Sequence, residues 1–334
     1  MILTDIIKRI YGSILEEVYI KSFADNNVSR MINDQNTIAL FCHPRGGSNW
    51  LGEILLHINN SILIDEPLWR GFYRSISYMP TIREGKLKEL SRLGFYFDQS
   101  IPKEEAWPEA KEIFESILKG RYWNYDLYDK SDLKQLKTAE VYITKFCYGH
   151  LLYSWVQQNF NIPSIILHRH PCAVVNSQLK HIAFDKIRRD PKGKIPECRY
   201  NENYLKYKAV FDTVGTKEEY LAAIWSLKTK YIMEPAHGKK TIIIFYEDLM
   251  SDFAHQIDKL QQFLQTKFNN DVFKTDRKPS SSATSKHLVH HEAQLKKWKY
   301  ELSNQQITRI LKIVDSFEIE LYDDSIMPLK QPMA

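Results

Sequence analysis

"FCHPRGGSNWLGEIL", residues 41–55, decides how the chain is to be read. An apolar run ends at Cys42, a Pro-Arg-Gly-Gly-Ser turn follows, and a helical pattern starts at once. Glycines between a strand and a helix let a ligand approach the backbone, and Gly46 and Gly47 can take positive φ. The amides of Gly47, Ser48, Asn49 and Trp50 then point out of the helix N-terminus, where the dipole favours negative charge. Ser48 and Asn49 add hydrogen-bonding side chains, and Arg45 adds a charge that is never lost. The stretch reads as a nest for an anion, although such turns also form for packing reasons alone. It is not a Walker A loop, because no lysine follows the glycines.

Outward from this turn, "NTIALFC" (36–42), "SILID" (61–65), "AEVYITKF" (139–146), "PSIILHR" (163–169) and "KTIIIFYED" (240–248) read as strands. Helical patterns run from Ser48 to His57, from Leu151 to Asn159, from Pro171 onward, and up to Leu264. Continuous β-branched runs suit strands covered on both faces. Their alternation with helices predicts an α/β chain built on a parallel sheet. Residues 68–138 and 181–216 hold no convincing strand. The first interval is rich in aromatics, among them Trp69, Phe95, Trp107, Trp123 and Tyr128. The second contains "KIRRDPKGKIPECR" (186–199), with six basic and two acidic residues. Long inserts at strand ends commonly wall a ligand site, while a solvated loop and satellite packing are the plainer readings. The whole of 1–334 reads as one domain, with a helical extension over 1–35 whose apolar residues Ile2, Ile6, Ile10 and Ile14 recur at helical spacing.

Composition narrows the partners. Lys and Arg number 46 against 41 Asp and Glu, a net +5. That suits an anionic ligand but is too weak for a nucleic-acid surface. Asp5, Lys8 and Arg9 interrupt the N-terminal segment, so it does not read as a signal peptide. No run reaches about 18 apolar residues, so no membrane span is expected. The four cysteines, Cys42, Cys147, Cys172 and Cys198, form no CxxC pair. They read as reduced thiols in a cytoplasmic protein. No metal-ligand spacing occurs; the adjacent His290 and His291 read as surface residues.

A second basic junction is "LHRHPCAVVNSQL" (167–179). A strand ends at Arg169, Pro171 opens a helix, and Ser177 lies about two turns in. Taken alone, this is a strand–helix junction with an arginine and a hydroxyl near one sheet edge. Set beside the first turn, it resembles a known family. "HPRGGSNWL" resembles the 5′-phosphosulfate loop of the PAPS-dependent sulfotransferases, P-[KR]-x-G-[ST]-x-x-L, and "HRHPCAVVNS" their 3′-phosphate motif, R-D-P-x-x-x-x-x-S. "FYEDL" (245–249) is similar to their Y-E-D-L, and "IDEPLW" (64–69) to the E-P-L-W of carbohydrate-type and bacterial members. "KKWKYELSNQQITRILKIV" (296–314) resembles their C-terminal tryptophan-and-helix segment. The pieces occur in family order over roughly residues 36–322. The chain departs from the pattern at His170, where Asp is usual, and at Gly46, where Ser or Thr is usual. "ITKFCYG" (143–149) lacks the histidine of aryl-type members, which disfavours their catalytic scheme.

The resemblance implies a three-layer, P-loop-like α/β fold with a central parallel sheet. It implies an enzyme that moves a sulfuryl group from 3′-phosphoadenosine 5′-phosphosulfate (PAPS) to a hydroxyl, leaving a sulfate ester and PAP, with no metal. Arg45, Gly46, Gly47, Ser48, Asn49 and Trp50 would hold the 5′-phosphosulfate, with Arg45 also catalytic. Arg169 and Ser177 would hold the 3′-phosphate, and Arg277 and Lys278 would close over it. Glu66, at a strand end, is the candidate base, with Asp65, His43 and His170 as alternatives. Tyr246, Glu247 and Asp248 are read as fixing a strand–helix junction, and Trp298 as core or as an adenine wall. The inserts would form the acceptor site. The expected acceptor is a carbohydrate or another small-molecule alcohol; a lipid or secondary-metabolite hydroxyl fits the aromatic insert equally. An ATP-dependent small-molecule kinase is the other enzyme class weighed, and a non-catalytic nucleotide-binding module a third reading. The expected partners are a glycan or small-molecule hydroxyl, with no nucleic acid, and the expected state is a monomer or homodimer.

Overall fold

A computed structural model of the chain describes residues 22–23, 25–68, 94, 98–121, 133–184, 195, 198–233, 240–276 and 290–329. The N-terminal helical pattern over 2–14 lies outside them. Five strands, β1 (Thr37–Cys42), β2 (Ser61–Asp65), β3 (Val141–Phe146), β4 (Ser164–His168) and β5 (Thr241–Phe245), form one sheet in the order β2-β3-β1-β4-β5. Every pairing is parallel. The five expected strands therefore all form, because their β-branched runs can be buried on both faces at once. β1 shows this directly: Ala39 and Phe41 enter one core, and Ile38, Leu40 and Cys42 enter the opposite one.

Helices cover both faces. On the Phe41 side lie α2 (Pro108–Leu118) and α3 (Tyr153–Phe160), where Trp155 packs edge-on to Phe114. On the Leu40 side lie α1 (Ser48–Leu55) and α7 (Phe253–Leu264). A third core joins α4 (Pro171–Leu179), α5 (Lys217–Met233), α8 (His291–Glu301) and α9 (Asn304–Asp315). Trp298 belongs to this core: it is 1% exposed and stacks on the His170 ring. α9 begins with a capping box in which Ser303 and Gln306 satisfy each other's backbone amides. Among the described residues no helix is long and apolar enough to cross a membrane.

Most expected boundaries shift by one or two residues, and the clearest departure is at the late strand. The late strand stops at Phe245, and Tyr246–Ser251 is a short helix, α6. Glu247 and Asp248 fall in its first turn, where carboxylates are stabilised by the helix dipole, so the acidic pair starts a helix rather than ending a strand.

The two inserts hold no strand among their described residues, and those residues pack on each other. The amide of Arg199 donates to the Gly94 carbonyl at 2.6 Å, its guanidinium lies 4.6 Å from the Trp107 ring centre, and it pairs with Glu105 at 3.5 Å. Asp98 of the first insert forms a buried ion pair with Lys228 of α5 at 2.7 Å, and its carbonyl accepts from Tyr204 Oη.

The turn after β1 differs in detail from the expected one. Gly47 takes the left-handed conformation at φ 101°, but Gly46 does not; Arg45 does, at φ 69°. Gly46 is instead needed for space, since a side-chain carbon there would come within 2.9 Å of the His43 carbonyl. At Gly47 such a carbon would lie 2.5 Å from Cδ2 of Tyr246. Gly47→Ala therefore combines a backbone penalty with a clash against α6. It is expected to lower unfolding stability by ~2 kcal/mol or more, measured by chemical denaturation; an unchanged midpoint would show that the turn is not under this constraint.

Candidate active site

Order in the sheet fixes where a ligand can sit. β1 is central, the chain first grows toward β2 and later returns across β1 to β4, and such a reversal opens a crevice beyond the carboxyl ends of the strands. The turns after β1 and β4 meet there. Arg45 Nε donates to Ser177 Oγ at 3.2 Å, and Arg169 Nη1 donates to the Arg45 carbonyl at 3.3 Å. The Arg169 guanidinium lies 4.0 Å above the Tyr246 ring. Gln178 steadies the turn by donating to the Pro44 carbonyl at 2.9 Å. Two guanidiniums are thus held side by side, and burial followed by the neighbouring Arg169 lowers the pKa of Arg45. Like charges gathered at a buried edge are compensated by an anion.

An anion fits here by several independent features. No side chain caps the first turn of α1, so its amides remain as donors. The Nε of Arg169 is buried with no hydrogen-bond partner among the described residues. Gly47, at φ 101°, turns the chain into α1 with the Tyr246 ring closed against it. Trp50 contributes only its amide, because its indole Nε1 is tied to the Thr275 carbonyl at 3.1 Å and packs on Phe253.

Next to the loop lies a second charged group, on β2 and β3. Lys145 is 2% exposed, yet its ammonium meets Asp65 at 2.5 Å, Asn49 Oδ1 at 2.5 Å and Glu66 at 3.6 Å. Burial works against the Lys145 charge, but Glu66, Cys147 and Asp65 outweigh it and raise its pKa above the ordinary value. Burial pushes the Glu66 carboxyl up, Lys145 opposes this, and Asp65 adds to it; the net direction is upward. Glu66 has φ 53°, and its Oε2 accepts from the Cys147 amide at 3.1 Å. Its carboxyl is thereby pinned at the sheet edge next to Asn49 of the loop helix. Cys147 and Cys42 lie 3.5 Å apart as free thiols beneath this group.

The sequence-expected residues Arg45, Gly46, Gly47, Ser48, Asn49, Arg169, Ser177 and Glu66 are brought to one edge of the sheet. Asp65 is there too, committed to Lys145. Arg277 and Lys278 lie outside the described residues, as does Trp69. Two of the alternative bases are packed instead. His43 is 2% exposed, hydrogen-bonds Thr229 at 3.1 Å and lies against Trp225 and His150; burial holds its pKa well below the usual imidazole value. His170 Nδ1 accepts from the Cys172 amide and its Nε2 donates to the Asp323 carbonyl, and burial pushes its pKa down to about 4. Lys145 and Tyr246 were not anticipated as parts of the site. The signal for Lys145 was a lone lysine inside the apolar strand "VYITKF", which a strand buried on both faces tolerates only if the charge is paired. Among the described residues no cluster of three His, Cys, Asp or Glu side chains could hold a metal ion.

Residues 35–323 match the model of the sulfotransferase domain family. No curated protein sequence matches the chain. Among solved structures, the chain is similar to a sulfotransferase domain from the curacin biosynthetic pathway, with 15% identity, 88% of this chain and 100% of that one covered, and a TM-score of 0.45. It is also similar to the sulfotransferase domain of the Synechococcus olefin synthase (16% identity, 88% and 98% covered, TM-score 0.46). A mouse sulfotransferase complexed with PAP shares 17% identity, with 87% of each chain covered and a TM-score of 0.38. The family match spans most of the chain and contains every strand and both basic turns, so the chain belongs to the sulfotransferase domain family, the PAPS-dependent enzymes of sulfuryl transfer.

Proposed function

We propose that the crevice between the β1 and β4 turns binds PAPS, and that the enzyme transfers its sulfuryl group to a hydroxyl of a carbohydrate or another small-molecule alcohol. The observation that carries this reading is the pairing of two converging guanidiniums, Arg45 and Arg169, with a buried carboxylate–lysine group at the same sheet edge. The donor, when bound, supplies the sulfuryl group, and PAP leaves. Arg45 and the uncapped amides of α1 hold the 5′-phosphosulfate. They neutralise the charge that grows on the phosphate oxygen as its bond to sulfur breaks, and losing one such donor costs roughly 3 kcal/mol of barrier. Arginine stabilises that oxygen without giving up a proton. Arg169 and Ser177 grip the 3′-phosphate. Glu66 takes the proton of the acceptor hydroxyl as the new sulfur–oxygen bond forms. Lys145 touches both Asn49 and Glu66, and so sets the distance between donor loop and base.

The acceptor class rests on three supports. Glu66 stands at the start of the Glu-Pro-Leu stretch that resembles carbohydrate-type members. Its raised pKa suits a base for an alcohol near neutral pH. Described residues of the two inserts meet through Arg199, Glu105 and Trp107, a contact that suits an acceptor wall.

Three outcomes test these assignments. Arg45→Ala is expected to lower turnover by about 100-fold while the protein stays folded; near-normal turnover would remove Arg45 from the chemistry. The rate should fall as pH drops through a carboxylate pKa displaced above the ordinary range, because protonated Glu66 cannot accept the hydroxyl proton. Glu66→Gln should cost about 10²–10⁴-fold and abolish that acidic limb, whereas a surviving limb would assign it to another group. Lys145→Met leaves Asp65 and Glu66 buried without a cation and is expected to destabilise the fold by ~3–5 kcal/mol. Adding Asp65→Asn to it should restore part of the loss in thermal melting, and a strictly additive further loss would contradict the shared pairing.

A further inference from the structure

The last described stretch of the chain returns to the β4–α4 junction, behind Arg169. Beyond α9, Phe317 and Ile319 enter the third core, and Tyr322 follows them to 3% exposure. The Tyr322 ring packs against Trp225, Phe245 and His170. Its hydroxyl donates to Glu247 Oε2 at 3.0 Å. The other oxygen of the same carboxylate, Oε1, accepts the backbone amide of His170 at 2.9 Å. One residue further on, the Asp323 carbonyl accepts from His170 Nε2 at 2.9 Å. His170 is the neighbour of Arg169 and the N-terminal cap of α4, and Trp298 stacks on its free face at 4.4 Å.

The peptide that carries Arg169 is therefore held by a carboxylate from α6 and by two residues of the C-terminal segment. None of them reaches the crevice itself. The Glu247 carboxylate is 2% exposed, and burial pushes its pKa up to about 7 against the hydrogen bonds it accepts and the nearby Arg169. A hydrophobic pair would fill the same space without that desolvation cost. What it would lose is an acceptor for two donors at once, with a fixed direction toward the His170 amide.

We propose that Glu247 and Tyr322 are positioning residues for the donor: they fix the 169–170 peptide so that the Arg169 guanidinium, stacked on Tyr246, is set for the 3′-phosphate before the nucleotide arrives. The inference rests on the assignment of Arg169 to the 3′-phosphate made above. It predicts a defect confined to ligands that carry a 3′-phosphate. A side chain that only supports the fold would weaken all nucleotides alike.

The test uses the full chain and two probes, PAP and adenosine 5′-phosphate, titrated calorimetrically against the parent, Tyr322→Phe, Glu247→Gln and Glu247→Ala. Tyr322→Phe removes one hydroxyl and keeps the ring, so the core is retained. It should weaken PAP by about fivefold, the range of one lost hydrogen bond, with adenosine 5′-phosphate changed less than twofold. Glu247→Ala should weaken PAP further. Glu247→Gln should recover much of the difference, since its amide oxygen still accepts from His170. Equal losses for both nucleotides, or no loss for PAP in folded Tyr322→Phe, overturn the inference while leaving the donor site in place. A parent that binds both nucleotides equally tightly would instead remove the 3′-phosphate assignment, and this inference with it.

Discussion

Tyr246 is the residue on which the site is assembled. Its ring closes against Gly47, where even one added carbon would come within 2.5 Å, and against the edge of Trp50. The Arg169 guanidinium rests above it. Three segments distant in sequence, the β1 turn, the β4 turn and α6, are thereby brought into van der Waals contact at one point. At Gly47 the left-handed turn and that contact coincide: the backbone takes φ 101° where the ring leaves no room for a side chain, and α1 starts there without a side-chain cap.

Electrostatics divide the edge into two halves. On one side Arg45 and Arg169 lie close together, and among the described residues no carboxylate forms an ion pair with either, which leaves net positive charge for an anion. On the other, Lys145 is surrounded by Asp65 and Glu66, which leaves net negative charge. The boundary is Asn49, whose amide belongs to the loop and whose side chain accepts from Lys145. A positive half beside a negative one is what a transfer reaction between an anionic donor and a proton-losing acceptor requires.

Much of this is legible in the sequence. The five apolar runs became the five strands because burial on both faces demands the same residues that the eye picks out. Arg45, Gly47 and Ser48 were legible because glycine and arginine at a strand–helix turn have a narrow range of uses. The division of labour between the glycines was not. Which of two adjacent residues takes positive φ depends on the Tyr246 ring and the His43 carbonyl, and both are fixed only by tertiary packing. Lys145 was visible as a letter but not as a partner, since its meaning comes from β2 and the loop helix lying on either side of β3. His43 and His170 were tempting by chemistry alone; burial made them packing residues.

The order of strands has a cost during synthesis. β1 is made first, yet it lies at the centre of the sheet and pairs with β3 and β4, which follow roughly a hundred residues later. At ribosomal speeds of ~5–20 residues per second, that strand waits on the order of ten seconds for its neighbours. During that interval both edges of an apolar strand lie unpaired. Such sequence-distant pairing is slow to form, and the waiting strand is the natural target for chaperone capture in the cell.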